Sequence, residues 1–467
     1  MLPFNIQHPQ GHTAVITDEG TRMTYGEVTD FSSSVMAVIR DRCLVFCLCR
    51  NTIGSFAGYL SFLAGHVVPV MLDAKISSSF LAGLVETYKP SYLWLPGNRR
   101  AEFPQADAVF SGHGYSLVKP ARNIACPLHP DLAMLLSTSG STGSAKLVRL
   151  SYGNLEANAE SIAAYLSIDE NDRPITTLPM SYAYGLSVIN SHVIRGATIL
   201  LTSKSLLEAE FWSFLKDHGA TSLSGIPYTY KILERLNFRE MQLPSLKTLT
   251  QAGGKLSGEL FLGYAGFCAA EDKQFFSMYG QTEATARMGY LPAEFALLKP
   301  GSIGKAIPGG AFSLADDFGT EIAGSDITGE LVYKGRNVSM GYSTVPGDLE
   351  KGDENHGILF TGDLAKRDRD GFYYIEGRKG RFIKIFGNRI SLDETERLLC
   401  HLVADCACTG EDDHLVIHVT DQSRMTVVKD YICAVTGIQQ SAVSVRCCAA
   451  LPRNEAGKTH YSTLDNH

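Results

Sequence analysis

No stretch of this 467-residue sequence is long and unbroken enough in apolar residues to cross a bilayer; the longest, such as Phe56 to Val70, are interrupted by glycine and histidine. That excludes a membrane span. The amino terminus, MLPFNIQHPQGH, has no charged stretch followed by an apolar one, so no secretory signal is expected and the cytoplasm is the expected compartment. Basic excess is missing too. With a formal net charge of −7, no global positive field points to nucleic acid or an anionic membrane. The eleven cysteines include no C-x-x-C pair, and no His/Cys cluster has zinc-like spacing. An odd, irregular set of this kind predicts reduced thiols rather than a disulfide framework. Internal repeats and low-complexity tracts are absent as well. What remains is an ordinary globular composition, 45% apolar and 19% charged. Its length suits about two to four domains.

The informative residues are local. STSGSTGSAK, residues 137 to 146, packs six hydroxyl side chains and two glycines into ten residues and ends on Lys146. Before it, Leu132 to Leu136 reads as a short buried strand. After it, Leu155, Ala159, Ile162, Ala163 and Leu166 have helical spacing from about Asn154 to Leu166. Such a loop buries little but offers backbone N–H groups, hydroxyls and a cation, which suits phosphate oxygens. It is not the G-x-x-x-x-G-K-[ST] loop: Gly140 and Gly143 are too close together and Leu147 follows the lysine.

Up to about residue 370, strand-like runs (LVFCLCR, AMLLS, ATILLT) alternate with helical ones (SSSFLAGLVETY, EAEFWSFLKDHG), the pattern of α/β layers. From about Gly301 short strands and glycine turns dominate. After Ser391 come a helix (DETERLLCHLV), a strand (HLVIHVT), a helix (MTVVKDYICAV) and a strand (SAVSVRCC), predicting a small α+β unit.

Five further stretches combine unusual residues. YGQTEAT (279–285) sets an aromatic and a glycine, for close backbone approach, before Thr282 and Glu283; a hydroxyl beside a carboxylate can serve a phosphate and its Mg²⁺. GELVYKGRNVSMGY spans 329–342. TGDL (361–364) places Asp363 in an expected tight turn, where a carboxylate can accept both hydroxyls of a ribose. GRKGRFIKIFG spans 377–387, and LPRNEAGKTHYSTL sets Lys458 in a turn near the end.

In this order the motifs resemble the adenylate-forming superfamily: acyl- and aryl-CoA synthetases, adenylation domains of peptide synthetases, and beetle luciferase. The resemblance runs from about Leu132 to Leu464, with weaker similarity upstream that includes MTYGEV at 23–28. It implies an α/β fold: a large N-terminal domain of two α/β subdomains and a β-barrel, residues 1–379, then a small mobile α+β lid, residues 380–467. It implies a two-step reaction, in which a carboxylate and ATP give an acyl-adenylate and pyrophosphate, and a thiol then displaces AMP. By the same resemblance Thr138, Ser139, Gly140, Ser141, Thr142, Gly143 and Lys146 match the loop holding the β- and γ-phosphates. Ala252, Gly253 and Gly254 match the backbone beside adenine and the acyl pocket. Tyr279 and Gly280 match the adenine-stacking segment, Thr282 an α-phosphate ligand and Glu283 the Mg²⁺ ligand. Asp363 and Arg378 match ribose contacts. Lys458 matches the lysine bridging carboxylate and α-phosphate, and Lys384 and Gly387 the loop that replaces it for the thiol step.

Four departures qualify the match. Ala145 and Leu147 stand where the family usually has proline and glycine, and Tyr152 where histidine is frequent. Tyr182 stands where acyl-CoA synthetases often have histidine and amino-acid-activating domains have aspartate, so an α-ammonium has no counter-ion there. Gly380 occupies the hinge position, where glycine tolerates large dihedral changes. Tyr182 and Tyr184, with Tyr228 and Tyr230, either narrow the acyl pocket or serve packing. The expected cofactors are ATP, Mg²⁺ and coenzyme A. The expected partner is a small-molecule carboxylic acid. Loading of a carrier-protein phosphopantetheine is the alternative, and a non-catalytic nucleotide sensor is disfavoured by Lys458 and Glu283.

Overall fold

Strands such as Leu44–Cys49, apolar at every position, have no solvated face and must be covered on both sides. The computed structural model, which describes residues 8–120, 126–137, 146–385, 388–436, 438–453 and 458–464, places that strand centrally. Its sheet has eight strands in the order Asp107–Gly112, Tyr115–Lys119, Tyr92–Pro96, Leu44–Cys49, Val68–Asp73, Leu132–Ser137, Leu147–Ser151 and Gly341–Ser343. The central pairings are parallel, the outer ones antiparallel. A second sheet of nine strands has Pro174–Ile175, Ser222–Gly225, Thr248–Gln251 and Gln274–Tyr279 side by side and parallel. One apolar core takes residues from both sheets and from the helix Ile53–Ala64, buried over nearly its whole length. This is the expected α/β architecture.

The strand Leu147–Ser151 corrects the expected passage from phosphate loop straight to helix. It pairs antiparallel with Leu132–Ser137, Ser137 opposite Leu147, so the hydroxyl-rich segment joins two strands of a hairpin. The helix then runs Tyr152–Tyr165, opened by a reciprocal cap: Asn154 N donates to Ser151 Oγ at 3.0 Å, and Ser151 N to Asn154 Oδ1 at 2.8 Å. Arg149, fully buried in the new strand, donates to the carbonyls of Met340, Tyr342, Lys351 and Gly352 and pairs with Glu354.

The chain divides into two compact units, Met1–Ala311 with Tyr333–Leu359, and Phe312–Val332 with Phe360–His467. Mainly in the second, the β-rich stretch forms a four-stranded sheet in the order Gly310–Ala315, Gly329–Gly335, Ile358–Arg367, Tyr373–Arg378. The closing α+β element has the strands Cys406–Glu411, His414–Val419 and Val443–Cys447 with the helices Leu392–Leu399 and Met425–Thr436, around a core that includes Leu399, Leu415, Ile417, Val428 and Ile432. Gly380 lies within this unit. All eleven cysteines are free thiols. Among the described residues no helix is long and apolar enough to cross a membrane.

Candidate active site

In the first unit, the strand Gln274–Tyr279 returns as Gly289–Leu291, and the residues between them form the candidate nucleotide turn. A Cβ on Gly280 would lie 1.7 Å from the Ala286 carbonyl oxygen, so only glycine lets the chain close here. Thr282–Ala284 makes a short 3₁₀ turn, and Thr285 follows at φ +66°. That left-handed, β-branched residue is held by its hydroxyl, which donates to the Asn337 carbonyl at 2.8 Å. Asn337 braces the turn further. Its amide donates to the carbonyls of Ala284 and Arg287, both at 2.9 Å, and its Oδ1 accepts from Tyr333. Ser339 N donates to the Glu283 carbonyl at 2.8 Å.

The same segment reaches the carboxylate. Tyr342 donates its hydroxyl to Glu283 Oε1 at 2.8 Å, and Lys146 Nζ lies 3.3 Å from the centre of the Tyr342 ring. Lys146 and Glu283, 137 positions apart, are thereby joined through one tyrosine. The pattern GELVYKGRNVSMGY alone gives no role to Tyr333, Asn337 or Tyr342; the clustering of Asn, Ser and Tyr around its glycines is the available signal. Among the described residues no group of three His, Cys, Asp or Glu could hold a metal. The donor set at Glu283 is one carboxylate beside the Thr282 hydroxyl. That fits Mg²⁺, which takes one or two carboxylates and completes its shell with phosphate oxygens and water.

A second wall of this unit carries the candidate acid pocket. Gly253 has φ +83°, and a Cβ there would meet the Tyr182 hydroxyl at 2.8 Å and Ile226 at 3.0 Å. Gln251 Nε2 donates to the Gly254 carbonyl at 2.6 Å, fixing the glycine pair behind the strand Thr248–Gln251. Tyr184 and Tyr230 each donate to the Thr250 carbonyl at 3.0 Å. Tyr184 also lies under the guanidinium of Arg287, 3.7 Å from its ring centre. Burial raises the Tyr182 hydroxyl's pKa, and the Arg287 charge opposes the rise. Tyr228 is 57% exposed and takes no part in the buried cluster, because it and Tyr230 lie two positions apart on the helix Pro227–Arg235.

In the second unit, Asp363 corrects its expected turn: it lies inside the strand Ile358–Arg367, just after Gly362 at φ +70°. Asp363 stands directly opposite Arg378, and Arg378 Nε meets its Oδ1 at 2.8 Å. The structure thus joins the two candidate ribose residues. Gly380 follows at φ +107°, with nothing within 4 Å of where a Cβ would sit. Lys384 falls in the strand Phe382–Ile385, opposite Arg389. Lys458 is exposed. The segment carrying it is seated by Leu451 and Leu464, which pack on Ala407, and by Tyr461, whose hydroxyl donates to Glu396 at 3.1 Å while its ring lies 3.6 Å from the Arg381 guanidinium. Thr138, Ser139, Gly140, Ser141, Thr142, Gly143 and Gly387 lie outside the described residues.

Comparison with known proteins gives the class. The model of the AMP-binding enzyme family matches residues 5–343, and the chain belongs to that family. Among its relatives, a 2-succinylbenzoate–CoA ligase of Bacillus cereus is 31% identical over 283 residues, 60% of this chain and 57% of that protein. A sulfoacetate–CoA ligase of Cupriavidus necator is 29% identical over 355 residues, 73% of this chain and 68% of that protein. The chain thus spans little more than half the length of the first of these relatives. Its fold is that of the O-succinylbenzoate coenzyme A synthetase MenE from Bacillus subtilis, solved in complex with ATP and magnesium ion: TM-score 0.78, 23% identity, covering 97% of this chain and 96% of that one.

Proposed function

We propose that this chain is an AMP-forming acid–thiol ligase. A carboxylate oxygen attacks the α-phosphorus of ATP, the bond from that phosphorus to the oxygen bridging the β-phosphate breaks, and pyrophosphate leaves. A thiolate then attacks the acyl carbon of the adenylate, the bond to the AMP oxygen breaks, and a thioester forms. Coenzyme A is the proposed thiol, as in the names of the relatives. The observation that carries the reading is the Lys146–Tyr342–Glu283 array at the Gly280 turn, a cation and a carboxylate held against the same tyrosine, as a nucleotide's phosphates and metal need both.

In this reading Lys146 and the hydroxyl-rich segment before it hold the β- and γ-phosphates, and Thr282 the α-phosphate. Glu283 would hold Mg²⁺, which when bound neutralises phosphate charge. Tyr279 stacks on adenine, and Asp363 and Arg378 take the ribose hydroxyls. Lys458 stabilises charge developing during adenylation, and Lys384 and Gly387 serve the thiol step. We place the lid boundary at 379/380 with Gly380 as its pivot, and the enzyme in the cytoplasm, where ATP, coenzyme A and reduced thiols coexist.

Pyrophosphate exchange over matched acids tests the first step: propionate against alanine, phenylacetate against phenylalanine, succinate against aspartate. Exchange is expected only with the amine-free partner, since an ammonium near Tyr182 meets the Arg287 cation instead of a counter-ion. Absence of exchange with every acid overturns the ligase reading, and equal turnover of the amino acids overturns the role given to Tyr182. Loss of free thiol on adding coenzyme A, against acylation of a phosphopantetheinylated carrier protein, identifies the acceptor.

A further inference from the structure

Arg287 follows the nucleotide turn, four residues after Glu283. Its side chain is 2% exposed and lines a cavity with Val188, Ser191, His192, Ser224 and Thr250. Nη2 donates to Ser187 Oγ at 3.2 Å and Nη1 to the Met278 sulfur at 3.4 Å, while the buried Nε has no partner. Among the described residues no carboxylate forms an ion pair with it. Asp172, which lines the same cavity, is engaged elsewhere: its oxygens accept from the Thr221 hydroxyl at 2.9 Å and the Asp169 N–H at 3.0 Å. His192 cannot supply the missing negative charge, since an imidazole is only ever neutral or cationic, and burial keeps this one neutral.

Among the described residues this buried guanidinium is faced by a hydroxyl, a thioether and an aromatic ring, without the anion that normally accompanies such a charge. Its position relative to the candidate acid wall suggests where that anion comes from. Arg287 covers Tyr184, and its charge is felt at Tyr182, whose hydroxyl adjoins Gly253. We propose that Arg287 is the binding site for a second acidic group on the substrate, a carboxylate or sulfonate beyond the carboxylate that reacts. The substrate class is therefore a dianionic acid. The proposal deepens the ligase reading and rests on it for the fate of the first carboxylate, but the contact itself requires no catalysis.

The test is calorimetric titration of the whole wild-type chain, with and without a non-hydrolysable ATP analogue. Probes are the dicarboxylates from malonate to adipate, valerate, monomethyl glutarate, and phthalate against benzoate. At least one diacid should bind about 10²-fold more tightly than its monoanionic counterpart, the size of preference expected when a site built for a polar group is offered an analogue lacking it. Arg287→Met should reduce that preference below about threefold, and Arg287→Lys should retain part of it. Equal or tighter binding of the monoanions throughout overturns the proposal, as does a diacid preference that survives Arg287→Met. Should the methionine variant not fold, the wild-type comparison of glutarate with its monomethyl ester decides alone. Pyrophosphate exchange run beside it keeps the two readings apart: diacid preference without exchange overturns the ligase reading and upholds the anion site, and exchange that favours monoacids does the reverse.

Discussion

The two units supply candidate residues in contrasting ways. In the first, Glu283 sits on a turn pinned from behind by Asn337, itself 3% exposed, and Tyr342 joins it to Lys146. In the second, the side chain of Arg378 is 54% exposed, Lys458 is exposed, and Gly380 has open space on the side where other residues carry a Cβ. Under the proposed two-step reaction the difference separates two tasks. A group that must be in place before substrate arrives is fixed by buried hydrogen bonds. A group that serves only one of two successive steps has to leave, and exposure on a turn or strand end keeps that inexpensive in free energy.

Five substitutions, one of them read as a pH series, break or sharpen this contrast. Lys458→Ala should reduce pyrophosphate exchange by about 10²-fold or more if the lysine acts as an electrostatic clamp. Thioester formation from supplied acyl-adenylate, and the melting temperature, should change little. Equal loss in both half-reactions would sink the assignment of Lys458 to the first step. Gly380→Pro should come next. Proline fixes φ near about −65°, far from the observed +107°, so one of the two half-reactions should fall by roughly tenfold or more while the fold survives. Wild-type rates in both would move the hinge elsewhere.

Asn337→Ala tests the braced side. It removes the amide's hydrogen bonds to two carbonyls, which keep Ala286 N and Asn158 Nδ2 as donors, and the bond from the Tyr333 hydroxyl, and should cost about 1–3 kcal/mol in denaturant unfolding. Exchange should fall with it, by roughly tenfold; a loss of activity without loss of stability would give Asn337 a direct role. Tyr342→Phe removes one hydroxyl from Glu283 and should lower exchange only a few-fold, about 0.5–1.5 kcal/mol, with a rise in the Mg²⁺ concentration needed for half-maximal rate. An unchanged Mg²⁺ dependence would separate Tyr342 from the metal.

The last test reads stability rather than rate and concerns His192 in the cavity wall. Burial pushes its pKa down to about 4, from 6.5 in the unfolded chain. The unfolded state therefore takes up a proton that the native state refuses, and this contribution to stability is lost as pH falls from about 6.5 to about 4. His192→Asn should flatten that part of the stability profile; an unaltered profile would mean the ring titrates alike in the native and unfolded states.

Much of this is legible from residue order, because glycines, hydroxyls and isolated charges mark turns wherever they occur. The apolar runs Leu44–Cys49 and Leu132–Ser137 and the closing helices fall where their patterns predict. What escapes is governed by long-range contacts. Leu147–Ser151 is missed because Arg149 interrupts its apolar run, and an arginine reads as surface until its carbonyl acceptors, some 200 residues away, are known. Arg287 is hidden in the same way, set between small and apolar residues in ATARMGY. Asp363 reads as a turn residue from TGDL, but the positive φ of Gly362 is absorbed within a strand whose register shifts between Leu364 and Ala365. Periodicity finds faces; it does not find which charge a distant backbone will accept.

During synthesis the ribosome delivers residues 312–332 to the second unit before the first has received its last strand. Until residues 341–343 emerge, Leu147–Ser151 is an unpaired edge, and until residue 354 emerges Arg149 lacks its carboxylate. An open edge beside an uncompensated charge is a template for association with other chains. A nascent chain therefore spends the time needed to add about two hundred residues with this edge exposed, at roughly 5–20 residues per second. Fragments ending at residue 332 should accumulate as aggregates bound by chaperones, and release at residue 359 is the earliest point at which the first unit owns all its residues. The interleaved chain path thus sets a kinetic minimum on the length of a folding-competent nascent protein.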